Sequence, residues 1–120
     1  MRQALWGAIA TLLAACNSVE DVHALPVIWS GTYAASYDVL ANCMATKTMA
    51  IWTNVVPMVY PSEQRAVVIS SSQGGSVLWE FDIRQVTPTT SSMQYRQAFR
   101  KSPIVGDDLA KLAGGCARPA

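Results

Sequence analysis

The chain has 120 residues, 51% of them hydrophobic, and a formal net charge of +1. That length suits one domain around one core. A nearly neutral chain without a basic cluster lacks the electrostatic footprint of a nucleic-acid binder.

The run from Ala4 to Ala15 is made of apolar and small residues and follows Arg2. It is shorter than the roughly 20 residues needed to span a bilayer, so it reads as a targeting signal rather than a permanent anchor. It ends in Leu13-Ala14-Ala15-Cys16, which resembles the lipobox of bacterial lipoproteins. The resemblance implies that residues 1–15 are a signal peptide removed after Ala15. It also implies that the Cys16 thiol carries a diacylglycerol and that the new amino terminus takes a further acyl chain of the palmitate kind. An ordinary secretory signal also ends in small residues but needs no cysteine after them. Losing Arg2 would bring the nine basic side chains level with the eight acidic ones. The expected partnership with the membrane therefore rests on lipid, and more than one acyl chain makes it durable. In enteric-type lipoproteins an aspartate after the lipidated cysteine signals retention in the inner membrane. Asn17 stands there instead, which implies the outer membrane, facing the periplasm.

Residues 16–31 have no clear hydrophobic period, and Pro26 interrupts any regular helix, so they are expected to form a tether. Its end, Val27-Ile28-Trp29, is apolar and should pack on the domain or on the lipid surface. Residues 32–120 then form the domain. A helix is expected over 36–49, because Tyr37, Leu40, Ala41, Met44 and Thr48 recur at steps of three and four. Ser36 is placed to cap it, and Asp38 suits the first turn.

Short β-rich runs follow. Val55–Tyr60 contains Pro57, which has no N–H for a ladder, so the run belongs at an edge or outside the sheet. Arg65–Ser71, with Ala66-Val67-Val68-Ile69, should be the most buried strand. Ser72-Gln73-Gly74-Gly75-Ser76 supplies the glycines of a tight hairpin. It is not a phosphate loop, since no Lys-Ser or Lys-Thr pair opens a helix after it. From Val77 to Arg84 the alternation is strict, with Val77, Trp79, Phe81 and Ile83 on a covered face and Leu78, Glu80, Asp82 and Arg84 on a mostly wet one. A Thr- and Ser-rich loop over 87–92 leads to a strand from Met93 to Phe99, whose Arg96 should lie near Glu80 or Asp82. A last helix is expected over 107–113, with Val105, Leu109, Leu112 and Ala113 on one stripe, stopped by Gly114 and Gly115.

If Cys16 is lipidated, Cys43 and Cys116 remain in a chain sent to an oxidising compartment, and they are expected to form a disulfide. Closing so long a loop is worth about 4–5 kcal/mol in the chain-entropy model. Buried free thiols, or a metal pair completed by His23, are the alternatives. The order of elements predicts a two-layer α+β domain. Its antiparallel sheet of three or four strands would carry an N-terminal and a C-terminal helix on one face.

No catalytic set stands out. His23, the only histidine, falls in the expected tether and reads as a solvated linker residue. Glu80 and Asp82 could be imagined as a glycosidase pair, but alternating with Arg84 on a wet face they read as surface charges. Asp107 and Asp108 are explained by the helix end without a cation. No cofactor and no metal site are expected, and the chain does not read as an enzyme.

The sequence instead suggests a lipid-anchored envelope protein that serves as a non-catalytic binding or assembly module for another envelope protein. Trp29, Trp52 and Tyr60 are the candidate aromatic partner surface. The alternative is a periplasmic inhibitor of a hydrolase such as lysozyme, which the chain resembles in size, lipid anchor and single disulfide. The match stops there: such inhibitors carry a Ser-Gly-x-Arg-Tyr stretch, and the nearest segment here, Ser92-Met93-Gln94-Tyr95-Arg96, departs from it in order and composition.

Overall fold

A computed structural model describes residues 17–52, 54–99 and 106–120. The fold is α+β, built on a five-stranded antiparallel sheet. Among the described residues the elements are α1 (Val19–His23), β1 (Trp29–Tyr33), α2 (Tyr37–Met49), β2 (Val55–Tyr60), a single 3-10 turn (Pro61–Glu63), β3 (Arg65–Ser71), β4 (Val77–Thr87), β5 (Thr90–Gln97) and α3 (Gly106–Gly114). The strand order is β1-β5-β4-β3-β2.

Strand β4 is central, and its alternation sets the two faces. Trp79, Phe81 and Ile83 are fully buried on the first face beside Ala66, Val68, Met93 and Tyr95. Helix α2 covers this face with Leu40, Ala41, Met44 and Thr48 of the expected stripe, joined by Ala45, while Tyr37 packs at its margin. Ser36 occupies the N-cap position without a side-chain bond to the helix amides. Leu109 and Ala113 of α3 join the same core. The aromatic rings form its centre, with Trp79 on Phe81 at 5.2 Å and Phe81 on Tyr95 at 4.9 Å between centroids. Cys43 of α2 and Cys116, just past α3, form the disulfide, with Cα atoms 5.7 Å apart and a sequence separation of 73. The bridge therefore ties the two core-covering helices together.

Several expectations need correction. The sheet has five strands rather than three or four, because the segment read as a tether is folded: residues 19–23 form α1 and residues 29–33 form β1. Strand β3 is heavily buried, as expected, at Ala66, Val67, Val68 and Ser70, and the central strand β4 is buried without a break from Trp79 to Ile83. The expected 87–92 loop shrinks to a tight turn at Pro88-Thr89, so β4 and β5 both extend into it. Threonine is itself a good strand residue, which composition-based loop reading undervalues. The hairpin over 72–76 forms as expected, with Gly75 at φ 85°.

Pro57 lies on an edge strand, as its missing N–H requires. The hydrogen-bond phase explains how it is tolerated. Ser71 N–H donates to the Asn54 carbonyl and Gln85 N–H to the Gln64 carbonyl. In the registers of β2 with β3 and β3 with β4, both bonds direct the main chain of Val56, Met58 and Tyr60 towards β3. Val55, Pro57 and Val59 consequently turn their main-chain groups outward, and Pro57 costs the sheet no bond.

Candidate functional site

The second face of the sheet carries Leu78, Glu80, Asp82 and Arg84 of β4, which the strand period places opposite the core. It is not the wet surface their charges suggest. Glu80 is fully buried and Asp82 nearly so, at 2% exposure. The cover is the N-terminal segment. Asn17 accepts from Val77 N–H at 2.8 Å and donates its own N–H to Ser76 Oγ at 3.1 Å, which pins the segment beside the 72–76 hairpin.

Helix α1 starts there with a capping box. Ser18 accepts from the Asp21 amide and Asp21 accepts from the Ser18 amide. Those hydrogen bonds favour the charged carboxylate and hold Asp21 below the usual aspartate range. So short a helix is stabilised by its cap and its docking rather than by its length. Val22 is completely buried against the sheet.

His23 then reaches Glu80, with Nδ1 2.9 Å from Oε1. Arg96 of β5, opposite Glu80 in register, donates Nη1–H to the same oxygen at 3.2 Å and Nε–H to the Leu25 carbonyl at 3.0 Å. This is the expected proximity of Arg96 to Glu80. Arg65 donates Nε–H to Asp82 Oδ1 at 2.8 Å, and Arg84 donates to Asp82 Oδ2 at 3.3 Å. Burial works to lower the Arg65 pKa, but the hydrogen bond and charge of Asp82, helped by Glu63 and Glu80, outweigh it and raise it. Glu80 Oε2 is buried and has no hydrogen-bond partner among the described residues.

A pocket of about 280 Å³ opens beside α1, between the polar groups of His23, Glu20, Arg65 and Tyr60 and the apolar walls of Val19 and Val67. Its polar groups are largely committed, since His23 faces Glu80 and Arg65 faces Asp82. A wider cleft of about 550 Å³ lies by Tyr37, Gln85 and Pro88. There the Gln85 side chain is engaged with the Tyr37 amide and the Ser91 hydroxyl.

Comparison of the chain with protein families, with characterised proteins and with solved structures finds no match. The chemistry must be read from the geometry alone. The charged residues neutralise one another and clamp α1 to the sheet through His23 and Leu25. Such an arrangement holds a segment in place.

The residues singled out in the sequence are dispersed. Cys16 lies outside the described residues. Cys43 and Cys116 are joined to each other, on the core side, while His23 docks on the opposite face. Trp29 is on edge strand β1, 6.3 Å from the Tyr33 ring, and Trp52 packs on Trp79 and Phe99 at 6.1 Å each. Tyr60 lies on the opposite edge strand, with the Arg65 guanidinium 5.5 Å above its ring. The structure does not gather Trp29, Trp52 and Tyr60 into one patch. His23, Glu80 and Asp82 do come together, though the sequence reading made them solvated. A signal for α1 was available in Ser18-x-x-Asp21, which has the form of a capping box.

Proposed function

We propose that this chain is a lipid-anchored protein of the bacterial envelope, attached through Cys16, whose disulfide-closed domain is a non-catalytic binding or assembly module. The observation carrying this reading is the pairing of Cys43 with Cys116. It leaves Cys16, the cysteine at the end of the lipobox-like run, for the lipid. The pairing also suits an oxidising compartment. The mutual pairing of Glu63, Glu80 and Asp82 with Arg65, Arg84 and Arg96 favours docking over catalysis. Among the described residues no helix is long and apolar enough to cross a membrane, so attachment would fall to the lipid. Asn17 after the lipidated cysteine favours the outer membrane with the domain in the periplasm.

Because Asn17 is already bonded to the 72–76 hairpin, a lipid on Cys16 would lie beside that hairpin. The domain would then sit close on the bilayer rather than at the end of a spacer. Intact mass of membrane-extracted protein, with and without reductant, tests the reading. Cleavage before Cys16, added acyl mass and a reducible Cys43–Cys116 bridge are the expected results. An unmodified Cys16 thiol, or a bridge to it, overturns the anchor. Crosslinking in whole cells should capture a distinct envelope protein on the domain, and turnover in a hydrolysis screen would overturn the non-catalytic role.

A further inference from the structure

The two ends of the sheet differ in character. Asn17 is bonded to Val77 and Ser76 beside the 72–76 hairpin, and Cys16 precedes it by one peptide bond, about 3.8 Å between Cα atoms. The hairpin joins the end of β3 to the start of β4, Val55 at the start of β2 pairs with Ser70, and Gln97 at the end of β5 pairs with Trp79. Helix α2 finishes at this same end: Ser71 N–H donates to the Asn54 carbonyl, and Trp52 touches Trp79 and Phe99. Strand β1 enters from it as well, since its first residue, Trp29, pairs with Tyr95 and its last, Tyr33, with Ser91. Met49 and Ile51 are exposed there at 52% and 58%, and Ile28, just before β1, at 53%. No charged residue occurs at 48–62 or 66–79. The opposite end carries Asp38, Glu63, Arg65, Arg84 and Arg118. The charges that flank the apolar end, Glu20 and Asp21 in the first turn of α1 and Lys47 in the last turn of α2, are of mixed sign.

We propose that this end of the domain is a membrane-seating face, in which Met49 and Ile51, with Ile28 on the β1 side, enter the interfacial layer of a lipid bilayer; the inference rests on the anchor at Cys16. The argument for a bilayer is the place where the chain enters the domain. A lipid fixed one residue before Asn17 leaves no spacer. The molecule therefore cannot turn its opposite end to the membrane without pulling Asn17, and α1 behind it, off the sheet. The surface held at the bilayer is thus the one that bears Met49 and Ile51, and burying their side chains among headgroups and acyl chains adds to the hold of the anchor. Trp52, next in the chain to Ile51, is the residue type that favours this depth. Mixed flanking charge gives no preference for anionic lipid, so the contact is apolar and should persist when salt screens charges. Val86, exposed at 60% but placed beside the β4–β5 turn at the opposite end, stays in water.

Chain extracted from membranes, with its acyl groups confirmed by mass, is reconstituted into vesicles of phosphatidylcholine and phosphatidylethanolamine with brominated acyl chains. Bromine quenches tryptophan only at close range. The parent should be quenched relative to the same vesicles without bromine, at low and at high salt, and Trp52→Phe should reduce the quenched component. Ile51→Glu sets a charge where the interface is apolar and should lose most of the quenching while the acyl chains keep the protein on the vesicle. Val86→Glu should leave it unchanged. An acylated chain that is not quenched, quenching indifferent to Ile51→Glu, quenching lost with Val86→Glu, or quenching abolished by salt overturns the seating face and leaves the anchor standing. An unmodified Cys16 overturns the anchor and the seating face together.

Discussion

Removing Arg96 should cost the protein far more than neutralising the carboxylate it serves. Glu80 is buried to 0% exposure, and one of its oxygens already lacks a partner, so its charge depends on Arg96 and His23 at the other. Arg96→Met keeps the aliphatic stem but deletes both the 3.2 Å contact to Glu80 and the 3.0 Å bond to the Leu25 carbonyl. It leaves an under-compensated buried anion, a defect that costs about 3–5 kcal/mol. Glu80→Gln is milder. The carboxamide still accepts from Arg96, and Arg96, 12% exposed, retains Leu25 and Gln94 as partners. Exchanging a charged acceptor for a neutral one there should cost about 1–2 kcal/mol. Urea unfolding of the disulfide-intact chain, followed by tryptophan fluorescence with Trp79 fully buried as reporter, measures both. A gap of about 2 kcal/mol corresponds to a difference of about 10 °C in Tm for a domain of this size. Adding Glu80→Gln to the Arg96→Met background should recover part of the loss, as coupling within one network requires. Equal costs for the two single substitutions would show that Glu80 is not held as a buried anion, and the clamp on α1 would have to be explained otherwise.

Gly31→Ala should destabilise by about 1–3 kcal/mol, because a Cβ at Gly31 would sit 2.8 Å from Cε2 of Tyr33, a ring only 4% exposed; the same urea titration measures it. Replacing both Cys43 and Cys116 with serine should lower stability by about 4–5 kcal/mol in the chain-entropy account, and reductant should destabilise the parent but not this variant. The capping box gives α1 a pH dependence whose sign is set by Asp21. Its folded-state pKa lies below the usual value of 3.8, so its contribution is present above that value and fades as pH falls through the folded-state pKa. Hydrogen exchange in α1 should therefore speed up selectively in acid, beyond the change in intrinsic rate, and Ser18→Ala should abolish the acid-specific component.

Much of the architecture follows from local pattern. The 37–49 helix stripe, the alternation of β4, the Gly-Gly hairpin and the edge position demanded by Pro57 each depend on interactions within a few residues, so each is legible in the sequence. The Cys43–Cys116 bridge was legible too, given the lipobox-like placement of Cys16. The charged cluster was not. Alternation assigns Glu80 and Asp82 to the face opposite Trp79 and Phe81, yet it is silent about what lies on that face. The cover comes from α1, which is too short to show a period, and the compensating guanidiniums come from β3 and β5. Strand β1 was hidden for a related reason. Trp-Ser-Gly-Thr-Tyr is a weak strand by composition, and its place is secured by β5, by the chain end, and by the room Gly31 leaves for Tyr33.

The sequence alone determined which residues form the main helix and strands and which side of β4 is apolar. Only the tertiary structure decided that residues 17–33 belong to the domain and that the polar face of the sheet is buried and neutralised. Local periodicity records the direction in which a side chain points. What meets it there is set by segments distant in the chain, whose docking is decided by pairing and burial across the whole fold.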